Sequence, residues 1–217
     1  MPAAVLETPL REQIVTAELC RHFPAILSLA AKHGPETLAE QARASLAAGQ
    51  SAWEEVLEGV LSGAGSELPA SQHFFARACL QPLAENLQLQ MPQQENYSDS
   101  LCPACGGLPQ VAVLRPEGEG ASRWLQCSFC LREWLFRRLI CPWCKEENKE
   151  KLPRYSAEQY SHVHVEACET CKRYLKAVDL TLDGHAEPLV DEAALAVLDV
   201  WAAERSFTKI IPNLLGF

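Results

Sequence analysis

Eight of the ten cysteines in this 217-residue chain fall into four C-x-x-C pairs: Cys102/Cys105, Cys127/Cys130, Cys141/Cys144 and Cys168/Cys171. The gaps between successive pairs are 21, 10 and 23 residues. A two-residue insert lets both sulfurs of a pair turn toward one ion. A span of about 20 residues is enough for a hairpin that brings a second pair opposite. The chemistry on offer is therefore metal binding by four thiolates, twice over.

Sequential pairing places Cys102, Cys105, Cys127 and Cys130 in a first site and Cys141, Cys144, Cys168 and Cys171 in a second. Interleaved pairing would close loops of 35 and 37 residues, and joining the middle pairs would leave the outer ones to meet across 62. Shorter loops lose less entropy on closure, which favours sequential pairing. Four thiolates in a tetrahedron suit zinc and a rubredoxin-type iron equally, so the expected cofactor is two metal ions per chain, zinc or iron. Gly106 and Gly107 after the first pair allow a tight turn. The other pairs are followed by Leu131, Lys145 and Lys172, where that device is not expected to repeat.

Other uses of the cysteines fit less well. Disulfide frameworks serve small secreted domains without an adequate core, whereas this chain has long apolar helical stretches. The N-terminal MPAAVLETPLRE lacks the pattern of a signal peptide, and no run of 18 apolar residues is present, so the expected location is cytoplasmic with no membrane span. A dithiol redox motif needs one C-x-x-C opening a helix, not four repeats. The net charge is −9, unevenly spread: residues 102–176 carry 12 Lys/Arg against 9 Asp/Glu. Four thiolates around a divalent ion add about −2 per site, which cancels that excess. Nucleic-acid binding, which calls for a basic face, is disfavoured. Arg132, Arg137 and Arg138 read as a solvated surface cluster.

The elements that must position these residues differ along the chain. Residues 1–90 read as an α-helical domain. Thr8 before Pro9 suits an N-cap, Pro24 should break the chain near His22-Phe23, and Gly34 and Gly49 are helix stops. Ser51 and Glu54 fit a capping box. Trp53, Val56, Leu57, Val60 and Leu61 then form one apolar face. A loop at Gly63/Gly65 precedes a helix over 71–89, with a kink expected at Pro82. Residues 91–100 have a linker's composition. The first four-cysteine module occupies 101–138 and the second 139–187. Strands are expected over 108–115, 123–126, 131–140, 160–167 and 173–182, with a turn at Glu117-Gly118-Glu119-Gly120. Residues 188–217 supply a helix capped by Asp191, with Ala194, Leu195, Leu198 and Trp201 on one face, and an apolar tail able to dock back. The fold class is α+β.

The ordered array Cys102-Pro-Ala-Cys105-Gly, Trp124-Leu-Gln-Cys127-Ser-Phe-Cys130, Glu133-Trp134, Ile140-Cys141-Pro-Trp-Cys144 and Glu166-Ala-Cys168-Glu-Thr-Cys171-Lys-Arg-Tyr174-Leu175-Lys176 resembles the formate dehydrogenase accessory protein FdhE family. Asp191 to Asp199 and Trp201 also look like that family's C-terminal helix. The resemblance covers residues 91–217. It implies a helical domain followed by two rubredoxin-like or zinc-ribbon modules, in a cytoplasmic maturation factor that contacts the catalytic subunit of a respiratory formate dehydrogenase. The chain departs from the family in a short N-terminal part and in a tail reading Ile211-Pro212-Asn213-Leu214.

His162 and His164 share a face of one expected strand, yet two complete four-thiolate sets leave them nothing to complete, so packing or a surface hydrogen bond is expected. Cys20 and Cys79 read as buried core thiols. Trp134 and Trp143 read as shields of the sites. No nucleophile triad, phosphate-cradling loop or carboxylate pair stands out, so no enzyme activity is expected. A zinc-ribbon nucleic-acid binder and a rubredoxin-like redox protein are the alternatives to an accessory role.

Overall fold

In the computed structural model, residues 9–63, 68–94, 97–214 and 216 are described, and the chain divides into two units, Met1–Pro92 and Gln93–Phe217. Proline and glycine punctuate the first unit. After a short helix α1 (Thr16–Leu19), α2 (Phe23–His33) begins with Pro24 in its first turn, where a missing N–H costs nothing, and stops at Gly34. Gly49, at φ 81°, separates α3 (Glu36–Ala48) from α4 (Gln50–Leu61). Because α4 starts directly after Gly49, Ser51 lies inside it and the capping box does not form. Gln50 instead donates to the Glu54 carboxylate at 2.8 Å. The last helix, α5 (Ala70–Leu89), runs through Pro82 as one element. Phe23, Leu27, Leu57, Phe75 and Leu80 form the buried centre of the unit. Arg11 donates to the carbonyls of Val60 and Leu61 at 2.8 and 2.9 Å, covering orphan acceptors at the end of α4. The expected cap at Thr8 and the loop at Gly65 lie outside the described residues.

The second unit is a sheet with helices on one face. Strands β1 (Pro109–Glu117) and β2 (Gly120–Cys127) form a hairpin through the expected glycine turn, and β3 (Glu133–Leu135) pairs antiparallel with β2. In the second half, β4 (Arg154–Ser156), β5 (Val163–Ala167) and β6 (Arg173–Asp179) form a matching antiparallel meander. Among the described residues the two meanders join into one sheet of order β3-β2-β1-β6-β5-β4. The seam is a parallel pairing of Ala112, Val113 and Leu114 with Ala177, Val178 and Asp179. Below it on the same edge of β6 sits β7 (Thr208–Lys209), so the tail does dock back as a strand. The expected strand over 131–140 shrinks to three residues; Leu139, at φ 57°, cannot continue an extended run.

Helices α6 (Pro188–Ala194) and α7 (Ala196–Glu204) are separated at Leu195. Asp191 is inside α6, not ahead of it; its carboxylate accepts from the N–H of Glu187, the residue before the helix, at 2.7 Å. Leu189, Leu195 and Leu198 pack on Val111, Val113, Val163 and Val178, while Trp201 and Tyr155 pack beside Phe207, Ala202 and Tyr174. Beneath this layer lies a buried charge cluster. Lys176 reaches Asp199 at 2.7 Å and Glu192 at 3.2 Å, and Lys209 reaches Asp199 at 3.2 Å and also binds Glu192. Tyr174 donates to Asp199 at 2.7 Å, and Asn213 donates to Glu192 at 3.1 Å. Burial pulls the Lys209 ammonium below its ordinary pKa, and Glu192 opposes that.

Two cations and two carboxylates balance, so the cluster tolerates burial only as a set. Removing Glu192 leaves two buried ammonium groups sharing the single carboxylate of Asp199, so one buried positive charge is uncompensated. Glu192→Ala is expected to destabilise the second unit by about 3–5 kcal/mol, checked by chemical denaturation.

Candidate metal centres

Each C-x-x-C pair closes the same six-residue turn. The N–H of the first cysteine donates to the carbonyl five residues on: Cys102 to Gly107 at 2.8 Å, and Cys127 to Arg132, Cys141 to Glu146 and Cys168 to Arg173, each at 2.9 Å. The residue just after the second cysteine is left-handed in all four: Gly106 at φ 68°, Leu131 at 60°, Lys145 at 63° and Lys172 at 56°. The expectation that this turn belongs to the glycine alone is therefore corrected. Three bulkier residues adopt it, at a cost of roughly 1–2 kcal/mol each, because the backbone bonds and the converging sulfurs require the reversal.

The turns bring the sulfurs together in two sets, Cys102, Cys105, Cys127 and Cys130 in one and Cys141, Cys144, Cys168 and Cys171 in the other. Within each set all four sulfurs lie within 4.8 Å of one another. Across the first set, Cys102 and Cys130 are 3.5 Å apart, and Cys105 and Cys127 are 3.4 Å apart. Across the second, Cys141 and Cys171 are separated by 3.7 Å, and Cys144 and Cys168 by 3.6 Å. A tetrahedron with metal–sulfur bonds of about 2.3 Å has edges of about 3.8 Å, so both sets have the size of a four-thiolate metal site. Among the described residues no disulfide joins any of the eight. Backbone N–H groups point at sulfur as well, with Phe129 donating to Cys127 at 3.3 Å.

Without a cation these sulfurs could not all ionise. Hydrogen bonds from Cys102, Cys127 and Cys130 pull the Cys105 thiol far down, while burial drives Cys127 far up and the bond with Cys102 drives Cys130 up. In the second set burial raises Cys141 to about 11 and also raises Cys171. Burial also works against Cys168, but backbone N–H groups of Cys171 and Thr170 outweigh it and lower that thiol. Neighbouring thiols within a set are thus pushed in opposite directions. A divalent ion supplies the positive charge that lets the remaining thiols deprotonate. The donor sets fit such an ion, and either zinc or iron would suit them.

The two sets lie at the same end of the sheet, because β1 and β6 are parallel and each leaves a cysteine turn. Their surroundings touch: Lys145, after the third pair, binds Asp99, just ahead of the first, at 2.8 Å. Trp134 is buried and donates to the Asp99 carbonyl at 3.0 Å, whereas Trp143 is exposed, with the Arg173 guanidinium 3.8 Å from its ring centre. Trp143 therefore stands at the surface and does not seal its site. Arg132 is buried, which corrects its assignment to a solvated cluster; its carbonyl closes the second turn, and this draws the residue inward. Arg137 and Arg138 are exposed. His162 lies 3.3 Å from Asp191, and His164 is buried 3.6 Å from Asp179, so neither joins a sulfur set. Cys20 and Cys79 are buried, and burial pushes the Cys79 thiol up to about 11.

Fold and sites together define a protein with tandem four-thiolate centres, in which two sulfur-bearing meanders share one sheet. The family descriptions "FdhE, central domain" and "FdhE, C-terminal domain" match residues 101–138 and 139–215. The chain belongs to the FdhE family. A protein FdhE homolog of Pseudomonas aeruginosa is 34% identical over 186 residues, covering 81% of this chain and 59% of the relative. One from Aquifex aeolicus is 31% identical over 146 residues, covering 66% and 52%. The crystal structure of the FdhE protein from Pseudomonas aeruginosa is similar, with TM-score 0.71 and 30% identity, over 94% of this chain and 76% of that one. The chain spans about half the length of the curated relatives it matches. Among the described residues no helix is long and apolar enough to cross a membrane.

The turn geometry is testable at its one glycine. A Cβ on Gly106 would meet nothing within 4 Å, so a substitution there is opposed by φ alone. Gly106→Val is expected to destabilise the metal-loaded protein by about 1–2 kcal/mol with metal content retained. Leu131→Gly should cost far less. The midpoints of denaturant unfolding, paired with elemental analysis, check both.

Proposed function

We propose that this chain is a non-catalytic accessory factor for the assembly or activation of a respiratory formate dehydrogenase, acting in the cytoplasm by binding the enzyme's catalytic subunit. In this reading Cys102, Cys105, Cys127 and Cys130 hold one metal ion and Cys141, Cys144, Cys168 and Cys171 a second. The observation that carries the proposal is the FdhE family match across both sulfur sets. The chemistry of the donors supports it. A four-thiolate site has no open coordination position for substrate, so its contribution is to fix the surface built on the turns. Exposed apolar side chains, Leu135, Leu139 and Trp143, fall between the second and third pairs or within the third, where a partner can cover them.

Two measurements test the reading. Elemental analysis of protein purified without chelators should find close to two ions per chain, one for each sulfur set. One or none would refute the ligand assignment. Deleting the gene should lower formate dehydrogenase activity while leaving the enzyme's transcript intact, and a tagged chain should recover the catalytic subunit from native extract. Normal activity in the deletion strain, or failure to recover the subunit, would refute the partner.

A further inference from the structure

The two sulfur sets differ in access. In the first, Cys102, Cys105, Cys127 and Cys130 are 2%, 7%, 0% and 0% exposed. In the second, Cys141 and Cys168 are buried, but Cys144 is exposed and Cys171 is half-buried. A cleft of about 90 Å³ runs beside Cys141 and Cys168, bordered by Ile140, Pro142, Leu152 and Ile210. That is room for about three waters. The second set is thus the more accessible one, with Cys144 exposed, Cys171 half-buried, and Cys141 and Cys168 buried beside a cleft.

Exposure of sulfur matters because a tetrahedral thiolate site gives up its ion one bond at a time. A competing ligand, proton or alkylating reagent must first reach a sulfur, and only accessible thiolates react readily. Lys145 and Lys172 directly follow Cys144 and Cys171, their side chains about half exposed and paired with Asp99 and Glu169, and Arg173 lies over the exposed Trp143.

We propose that the Cys141–Cys144–Cys168–Cys171 site is an exchangeable metal site, whose ion enters and leaves past Cys144 and Cys171, and that the Cys102–Cys105–Cys127–Cys130 site is a sealed one. This rests on the reading that both sets hold metal. The exchangeable site is also linked to the C-terminal tail. The N–H of Thr208 donates to the Lys172 carbonyl at 2.8 Å, and that of Ile210 to the Tyr174 carbonyl at 3.0 Å. The fourth cysteine turn therefore anchors β7, and departure of the ion loosens the strand that carries Lys209 and leads to Asn213.

The experiment uses the full chain with its metal counted at the start, then challenged with the chelator 4-(2-pyridylazo)resorcinol. One ion should leave in a first phase, faster than the other by roughly tenfold or more if sulfur access sets the rate. Iodoacetamide added at the end of that phase, followed by peptide mass spectrometry, should label Cys141, Cys144, Cys168 and Cys171 and spare Cys102, Cys105, Cys127 and Cys130. Cys144→Ser should reduce the starting content to one ion while the first set stays protected. Release of both ions in one phase, or alkylation spread over both sets, would overturn the inequality while leaving metal binding intact. A starting content below two ions would overturn metal binding itself, and this proposal with it.

Discussion

Two sulfurs three residues apart converge in this chain because the backbone reverses within six residues. That reversal passes through the left-handed region of backbone space, and the second unit repeats it four times, at Gly106, Leu131, Lys145 and Lys172. Strand directions follow from it. A chain entering a turn at the end of β2 or β5 must leave antiparallel, as β3 or β6, so each half becomes a meander with its sulfurs at one end. The cost of three non-glycine residues in that region is offset by the closing hydrogen bonds, and by an ion wherever the converging sulfurs hold one.

The other organising element is the buried set of Lys176, Lys209, Glu192 and Asp199. It ties together β6, β7, α6 and α7, which are drawn from separate stretches of chain, and its four charges make sense only when all four elements are in place. An apolar core would accept many alternative packings. A charge set that is satisfied only with every partner present accepts few, and this fixes where the tail lies on the sheet.

The spacing of the cysteines made both sulfur sets legible, because a four-sulfur site depends on local turns and short loops. The hairpin at Gly118, the break near Pro24 and the helix stops at Gly34 and Gly49 were legible for the same reason. What escaped depends on distance or on forces that override propensity. Leu131, Lys145 and Lys172 carry no sign of a left-handed backbone, since the closing bond and the converging sulfurs impose it. Lys176 and Lys209 look like surface lysines until Glu192 and Asp199 are brought to them. The parallel seam between β1 and β6 has no local signature at all, so the sequence showed the two four-cysteine modules but not the sheet that joins them.

That seam has a consequence for how the chain is made. When β1 leaves the ribosome it pairs with β2 on one side, and its other edge stays open until residues 173–179 arrive, with the whole of the second meander still to be translated. At ordinary elongation rates of roughly 5–20 residues per second the wait lasts on the order of 3–12 seconds. Throughout it the valines of β1 lie beside an unpaired row of backbone donors and acceptors, the arrangement that invites pairing with another chain. The nascent protein is then most vulnerable between the completion of its first sulfur set and the arrival of its last.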